Sequence, residues 1–194
     1  MKKHSLRVRL SLSGIFMLAA LVFTHSFISI AALIAAALHE LGHIITARLC
    51  NISLKEMKLG IFGAALTPTD SFISYKKEIL LAASGPLANI FCVLISLLLL
   101  NQKNDFFELF VSASIFLGIL NTLPILGFDG GRILYCIIAY KTSPNTADSI
   151  LKASSFILVF TLWALSVYLL LRLSSTLSLF IFSLSLFAKL FISE

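Results

Sequence analysis

His39, Glu40 and His43 are three ionisable residues within five positions of an otherwise almost wholly apolar run, Ile28 to Ile45. On a helix, positions 39 and 43 lie about one turn, roughly 6 Å, apart, so both imidazoles leave the same face and can bind one metal ion. Glu40 lies about 100° round the helix from His39, where its carboxylate flanks the metal and can take a proton from metal-bound water. The pattern predicts a catalytic metal site.

Chance and packing explain these three residues poorly. In a chain of this length the pattern H-E-x-x-H arises at random less than about one time in a hundred. Each ionisable residue at membrane depth costs on the order of 2.5 to 3.5 kcal/mol, and a bound metal offsets that cost. The alternatives are a structural origin and a metal site without catalysis.

The composition is that of an integral membrane protein. The chain has 194 residues, of which 59% are hydrophobic, and its mean hydropathy is +1.01. We therefore expect an all-α polytopic membrane protein, not a soluble domain with a large core. The net charge of +6 is better explained by membrane orientation than by binding to nucleic acid, and we expect no nucleic-acid partner.

The apolar segments predict six transmembrane helices. A single helix over residues 10–49 would be about 60 Å long, twice the hydrocarbon thickness, so this stretch must form two spans. The N-terminal run resembles a signal peptide, but no small-residue cleavage site follows it promptly, so we expect it to be retained. The expected spans are residues 10–24, 28–49, 78–100, 106–123, 153–171 and 176–193.

The distribution of basic residues predicts the orientation. Six spans put both termini on one side, and thirteen of the fifteen Lys and Arg residues then lie on that side, with only Lys103 and Arg172 opposite. The positive-inside rule makes that side cytoplasmic. The histidine pair then lies in the second helix, with His39 about 13 Å from the cytoplasmic end near Arg48.

Residues 54–75 do not have the pattern of a spanning helix. Gly60, Gly63 and Pro68 interrupt them, which favours short strands in a re-entrant β-hairpin. An ordinary cytoplasmic loop is the alternative.

The three cysteines are widely spaced without a C-x-x-C pair, and we infer no disulfide or metal role for them.

Asp129 is the best candidate for a third ligand. A catalytic zinc usually has three protein ligands and an open position for water. Asp129 lies in an apolar segment, residues 121–132, whose Pro124 and three glycines break regular helix and let a short carboxylate approach an ion. From these residues alone, an equally good interpretation is that Asp129 is the N-cap of the helix that follows. We expect the broken-helix segment that contains Asp129 to run over residues 121–140.

Three sequence elements together resemble the site-2 protease family of intramembrane zinc metalloproteases. They are H-E-x-x-H at 39–43, S-G-P-L-A-N at 84–89 and N-x-x-P-x-x-x-x-D-G-G-R at 121–132. The resemblance implies one Zn²⁺ per chain, held by His39, His43 and Asp129, with Glu40 as general base. It also implies that Asn89 and Asn121 help to hold the substrate or the oxyanion, Asn121 by supporting the broken helix. Asn89 is otherwise explained as an interhelical hydrogen-bonding residue.

The arrangement of six spans with both termini cytoplasmic is similar to that of one branch of the family, which processes sigma factors during sporulation. The segment between the second and third spans is too short for a PDZ domain, and we expect no CBS domain after the sixth span. We therefore expect one membrane-embedded protease domain, residues 1–194, in a bacterial cytoplasmic membrane or a forespore-surrounding membrane, with both termini cytoplasmic. The resemblance implies a membrane-associated sigma-factor or anti-sigma-factor precursor as substrate, and inhibitory membrane partners.

The predicted function is hydrolysis of a peptide bond within or next to the lipid bilayer. One alternative is a divalent-metal transport protein, which would need more polar residues along its path than residues 153–193 offer. Another is a catalytically silent relative that binds membrane segments, and the intact Glu40 argues against it.

Overall fold

The computed structural model describes residues 7–10, 27–52, 54–60, 63–68, 73–99, 105–173 and 177–192. The chain divides into two compact units, Met1–Thr122 and Leu123–Glu194. The predicted first span, residues 10–24, lies outside the described residues except for Leu10, and the single domain over residues 1–194 stays a prediction. The described helices are α1 (Phe27–Leu49), α2 (Tyr75–Leu99), α3 (Asp105–Thr122), α4 (Asp129–Lys141), α5 (Pro144–Leu173) and α6 (Leu177–Ile192).

In the first unit, α1, α2 and α3 pack against one another. Gly42 lets α1 approach α2 closely, because a Cβ there would lie 2.5 Å from the Ser84 carbonyl oxygen. Small residues allow such close packing between membrane helices. Ala31 and Ala35, at 0% and 1% exposure, continue this closely packed side of α1 and meet Phe110 of α3.

A three-stranded sheet also belongs to the first unit. Strand β1 (Arg7–Leu10) pairs in parallel with β2 (Leu54–Gly60), and β2 pairs antiparallel with β3 (Gly63–Pro68). An isolated two-stranded hairpin is therefore not supported. Two strands alone are marginally stable, and β1 covers an edge of β2 that would otherwise be open. The re-entrant position of this segment in the membrane stays a prediction.

Four described helices, α1, α2, α3 and α5, are long and apolar enough to cross a membrane, as expected of an integral membrane protein. Six spans are not supported. Helix α6 has 16 residues, which is about 24 Å of helix against a hydrocarbon core of about 30 Å. The first predicted span also begins with Leu10, which belongs to β1.

In the second unit, α5 packs against both α4 and α6. Helix α5 begins nine residues before the predicted span, at Pro144. Ser143 precedes it and accepts a hydrogen bond from the Thr146 N–H at 3.2 Å, which is the geometry of an N-cap followed by proline at the first helical position. Between α5 and α6, the Ser166 and Ser183 hydroxyls lie 3.0 Å apart.

Candidate metal centre

His39 and His43 converge on one point beside α1. Both side chains are buried, at 3% exposure each. Their Nε2 atoms lie 3.3 Å apart, and the ring planes cross at 83°. Two ligands of one tetrahedral zinc, each at about 2.0 to 2.1 Å from the ion, are separated by about 3.3 Å. The two nitrogens therefore already have the separation that a shared zinc ion requires.

A backbone carbonyl of α2 determines which nitrogen of His43 can bind a metal. His43 Nδ1 lies 2.7 Å from the Leu81 carbonyl oxygen. Because a carbonyl only accepts, Nδ1 carries the proton and Nε2 keeps its lone pair. The Ser84 hydroxyl donates to the same carbonyl at 2.6 Å and lies 3.3 Å from Nδ1. His43 is thus held in the tautomer and orientation of an Nε2 ligand.

Gly85 leaves the space that an ion between the histidines would need. A Cβ on Gly85 would lie against Nε2 of His43, and 2.5 Å from Nε2 of His39. Any side chain at this position would occupy the place where both lone pairs meet. Gly85 is followed by Pro86 inside α2, and a proline ring distorts the helical turn before it. The residues of the first unit therefore fit a metal ion.

Asn89 lies one turn beyond Gly85 on the same face of α2. Its side chain is 1% exposed, and its Nδ2 lies 3.3 Å from His39 Nδ1. The structure thus brings Asn89 to the ring of a candidate ligand. Glu40 is half-buried, and its Oε2 atom is fully buried.

In the second unit, Asp129 is the first residue of α4. The N-cap of this helix is Phe128, with no side-chain capping hydrogen bond, so the alternative that Asp129 serves as the N-cap is wrong. Its side chain is buried, at 7% exposure for the residue, and Oδ1 lies 3.7 Å from the Arg132 guanidinium. Buried carboxylates are rare unless they are paired or coordinate a metal.

The irregular segment before α4, residues 123–128, is braced by two hydroxyls of α5. The Leu126 N–H donates to Ser155 Oγ at 2.8 Å, and Ser154 Oγ donates to the Pro124 carbonyl at 2.9 Å. Gly127 has a φ of +86°, which favours glycine. Sequence reasoning assigned no role to these serines, although hydroxyls recur through the apolar residues of α5.

Asn121 lies near the end of α3. Its Nδ2 donates to the Leu117 carbonyl, one turn earlier in the same helix, at 3.1 Å. This bond is local to α3, and the substrate or oxyanion role suggested for Asn121 stays a prediction.

The sequence also assigned no separate role to Ser84 or Gly85, although both belong to the S-G-P-L-A-N element at residues 84–89. The sequence feature that could have indicated a role here was Gly85 directly before Pro86 within an apolar helix.

Helices long and apolar enough to cross a membrane, together with a buried histidine pair shaped for a metal, are features found in membrane-embedded metalloproteases. Residues 101–165 match the model of peptidase family M50, and residues 12–126 match that of the M50B-like peptidases. The second match covers more than half of the chain. The chain therefore belongs to peptidase family M50 and is a member of the site-2 protease family.

A solved structure has the same fold. The site-2 protease from Methanocaldococcus jannaschii superposes with a TM-score of 0.66 at 21% identity, covering 98% of this chain and 91% of that one. At this identity the likeness shows the fold alone. No curated protein matches the chain.

Proposed function

We propose that the protein is an intramembrane zinc metalloprotease. It holds one Zn²⁺ per chain with His39, His43 and Asp129 and hydrolyses a peptide bond within or next to the membrane. The observation that carries the proposal is the pair of buried Nε2 atoms at 3.3 Å, the separation of two ligands on one tetrahedral zinc. The buried carboxylate of Asp129 and its place in the family's sequence element support the third ligand.

The chain's own residues divide the chemistry between them. When bound, zinc lowers the pKa of water toward about 7 and polarises a carbonyl. Glu40 accepts a proton from the attacking water and delivers it to the leaving amine, as a general base and then a general acid. Its half-buried position keeps the carboxylate in a medium where charge interactions are stronger than in water.

The substrate must be extended at the bond that is cut, because the carbonyls of a helix are occupied by its own hydrogen bonds. Strand β3 is an edge of the three-stranded sheet. An edge strand can accept an added strand through main-chain hydrogen bonds. We therefore propose that the substrate pairs with β3, which supplies most of the segment 59–67.

A single-span substrate reconstituted with the purified protein tests this function. Wild-type protein should cut it, and Glu40→Gln should bind zinc as tightly as wild type but lose cleavage by at least about 100-fold, as expected for a missing general base. The matched control is Glu108→Gln, at an exposed position in the first turn of α3. Cleavage by Glu40→Gln at the wild-type rate would refute the mechanism.

The narrower proposal concerns the substrate and the membrane. The resemblance to the sporulation branch supports a membrane-tethered sigma-factor or anti-sigma-factor precursor as substrate, inhibitory membrane partners, and a bacterial cytoplasmic membrane with both termini inside. Co-expression with a tagged sigma-factor precursor should give a shortened product with wild type and none with Glu40→Gln. If wild type cuts a single-span test substrate but not the precursor, the substrate assignment is wrong and the chemistry stands.

A further inference from the structure

We propose that Asn89 is a positioning residue for His39. In the zinc-bound protein its amide oxygen accepts a hydrogen bond from His39 Nδ1–H and so holds His39 Nε2 toward the metal. This inference rests on the proposed zinc site. It replaces the direct role in oxyanion or substrate binding that the family resemblance implied for Asn89.

The first step is the tautomer of His39. A neutral imidazole carries one proton, and a nitrogen that binds zinc must present its lone pair. The Nε2 atom of His39 faces Nε2 of His43 at 3.3 Å, so zinc binding there requires the proton of His39 to be on Nδ1. Because His39 is 3% exposed, that N–H needs an acceptor within the protein.

The second step is the pattern along α2. Leu81, Gly85 and Asn89 are spaced four residues apart and lie on one face. The Leu81 carbonyl faces His43 Nδ1, Gly85 faces both Nε2 atoms, and the Asn89 amide faces His39 Nδ1. One helix face thus supplies an acceptor at one end, space in the middle and an amide at the other end. An amide oxygen at that end gives both histidines the same kind of support.

The third step is the amide itself. In the structure Nδ2 lies 3.3 Å from His39 Nδ1, and an amide N–H at this position favours the His39 tautomer that carries its proton on Nε2. Asn89 Oδ1 is buried and has no hydrogen-bond partner within the described part of the chain. The two ends of an amide have nearly the same shape, so a half-turn about χ2 exchanges them without repacking. The exchange brings the oxygen to His39 Nδ1–H.

Zinc affinity measured by competition with a chromophoric chelator tests the inference. Partners of this kind typically contribute 10- to 100-fold to metal affinity, so Asn89→Leu should raise the zinc Kd by about 10- to 100-fold. Asn89→Asp keeps an acceptor and should stay within about threefold of wild type. The matched control, Ser96→Ala, removes another buried polar group of α2 about 10 Å further along the helix and should leave the Kd unchanged.

The outcomes separate this inference from its alternatives. Wild-type affinity in Asn89→Leu would overturn it and favour a role that only cleavage reveals. An equal loss in Asn89→Leu and Asn89→Asp would also overturn it, because both then act through lost packing or a lost donor. If Asn89→Leu does not fold by circular dichroism, Asn89→Asp decides alone: retained affinity supports the inference, and lost affinity refutes it. Absence of zinc from folded wild-type protein would refute the proposed function as well.

Imidazole ¹⁵N NMR reports directly which nitrogen of His39 carries the proton. Zinc-loaded wild type and Asn89→Asp should both show His39 protonated at Nδ1. A zinc-loaded wild type with His39 protonated at Nε2 would overturn the inference.

Discussion

Gly85→Ala is expected to abolish zinc binding while leaving the helices in place. The added Cβ would lie 2.5 Å from His39 Nε2 and contact His43 Nε2 as well. Since zinc lies about 2.0 to 2.1 Å from each ligand nitrogen, the methyl group and the ion would need the same space. Relief of the contact would turn both rings away from their shared point.

The expected magnitudes follow from these distances. Loss of the shared geometry of two ligands should weaken zinc binding by at least about 100-fold, beyond the effect of one supporting hydrogen bond. The free energy of unfolding should fall by no more than about 2.5 kcal/mol. Overpacking costs about 1 to 3 kcal/mol, and replacement of a mid-helix glycine by alanine returns roughly 0.5 to 1 kcal/mol.

The assay is zinc content and chelator competition on detergent-purified protein, with thermal unfolding followed by circular dichroism. Gly118→Ala is the matched control, because a Cβ on Gly118 would lie 3.6 Å from the Asn89 Cβ, an ordinary van der Waals contact. That variant should bind zinc like wild type. Stoichiometric, tight zinc binding by folded Gly85→Ala would refute the account of how α2 shapes the site.

Two further predictions concern hydroxyl groups, one in each of the two units. Ser84→Ala should raise the zinc Kd by less than about 10-fold, because the Leu81 carbonyl keeps its 2.7 Å bond to His43 Nδ1. Chelator competition measures this change. A loss of zinc affinity as large as that expected for Gly85→Ala would contradict the prediction. Ser155→Ala should destabilise the segment 123–128 by about 1 to 3 kcal/mol, since the Leu126 N–H loses its acceptor. Hydrogen exchange at Leu126 should then speed up by about 5- to 150-fold, and an unchanged rate would contradict the bracing role of Ser155.

The local part of the site could be predicted from the sequence, because it depends only on helical spacing. Residues 39 and 43 share a face in any helix, and α1 runs over Phe27–Leu49 where residues 28–49 were expected. The supports of the histidines could not be predicted in the same way. A backbone carbonyl such as that of Leu81 has no sequence signature, and only the packing of α2 against α1 brings it to His43.

The errors in the fold also have physical causes. The third strand was missed because β1 pairs with residues 56–59, far along the chain, and such pairing depends on tertiary structure. The start of α5 was missed because its first turns are polar, although Ser143 and Pro144 were available as start signals. Hydropathy located the apolar run at 176–193 but not the helix bounds, and α6 has only 16 residues.

The most direct test of the central claim is the zinc content of the purified protein, measured by atomic emission for wild type, His43→Ala and Asp129→Ala. We predict about one zinc per wild-type chain and almost none in either variant, because a catalytic site needs all three protein ligands. Full zinc content in folded His43→Ala or Asp129→Ala would show that these residues do not form the metal site, and would contradict the account.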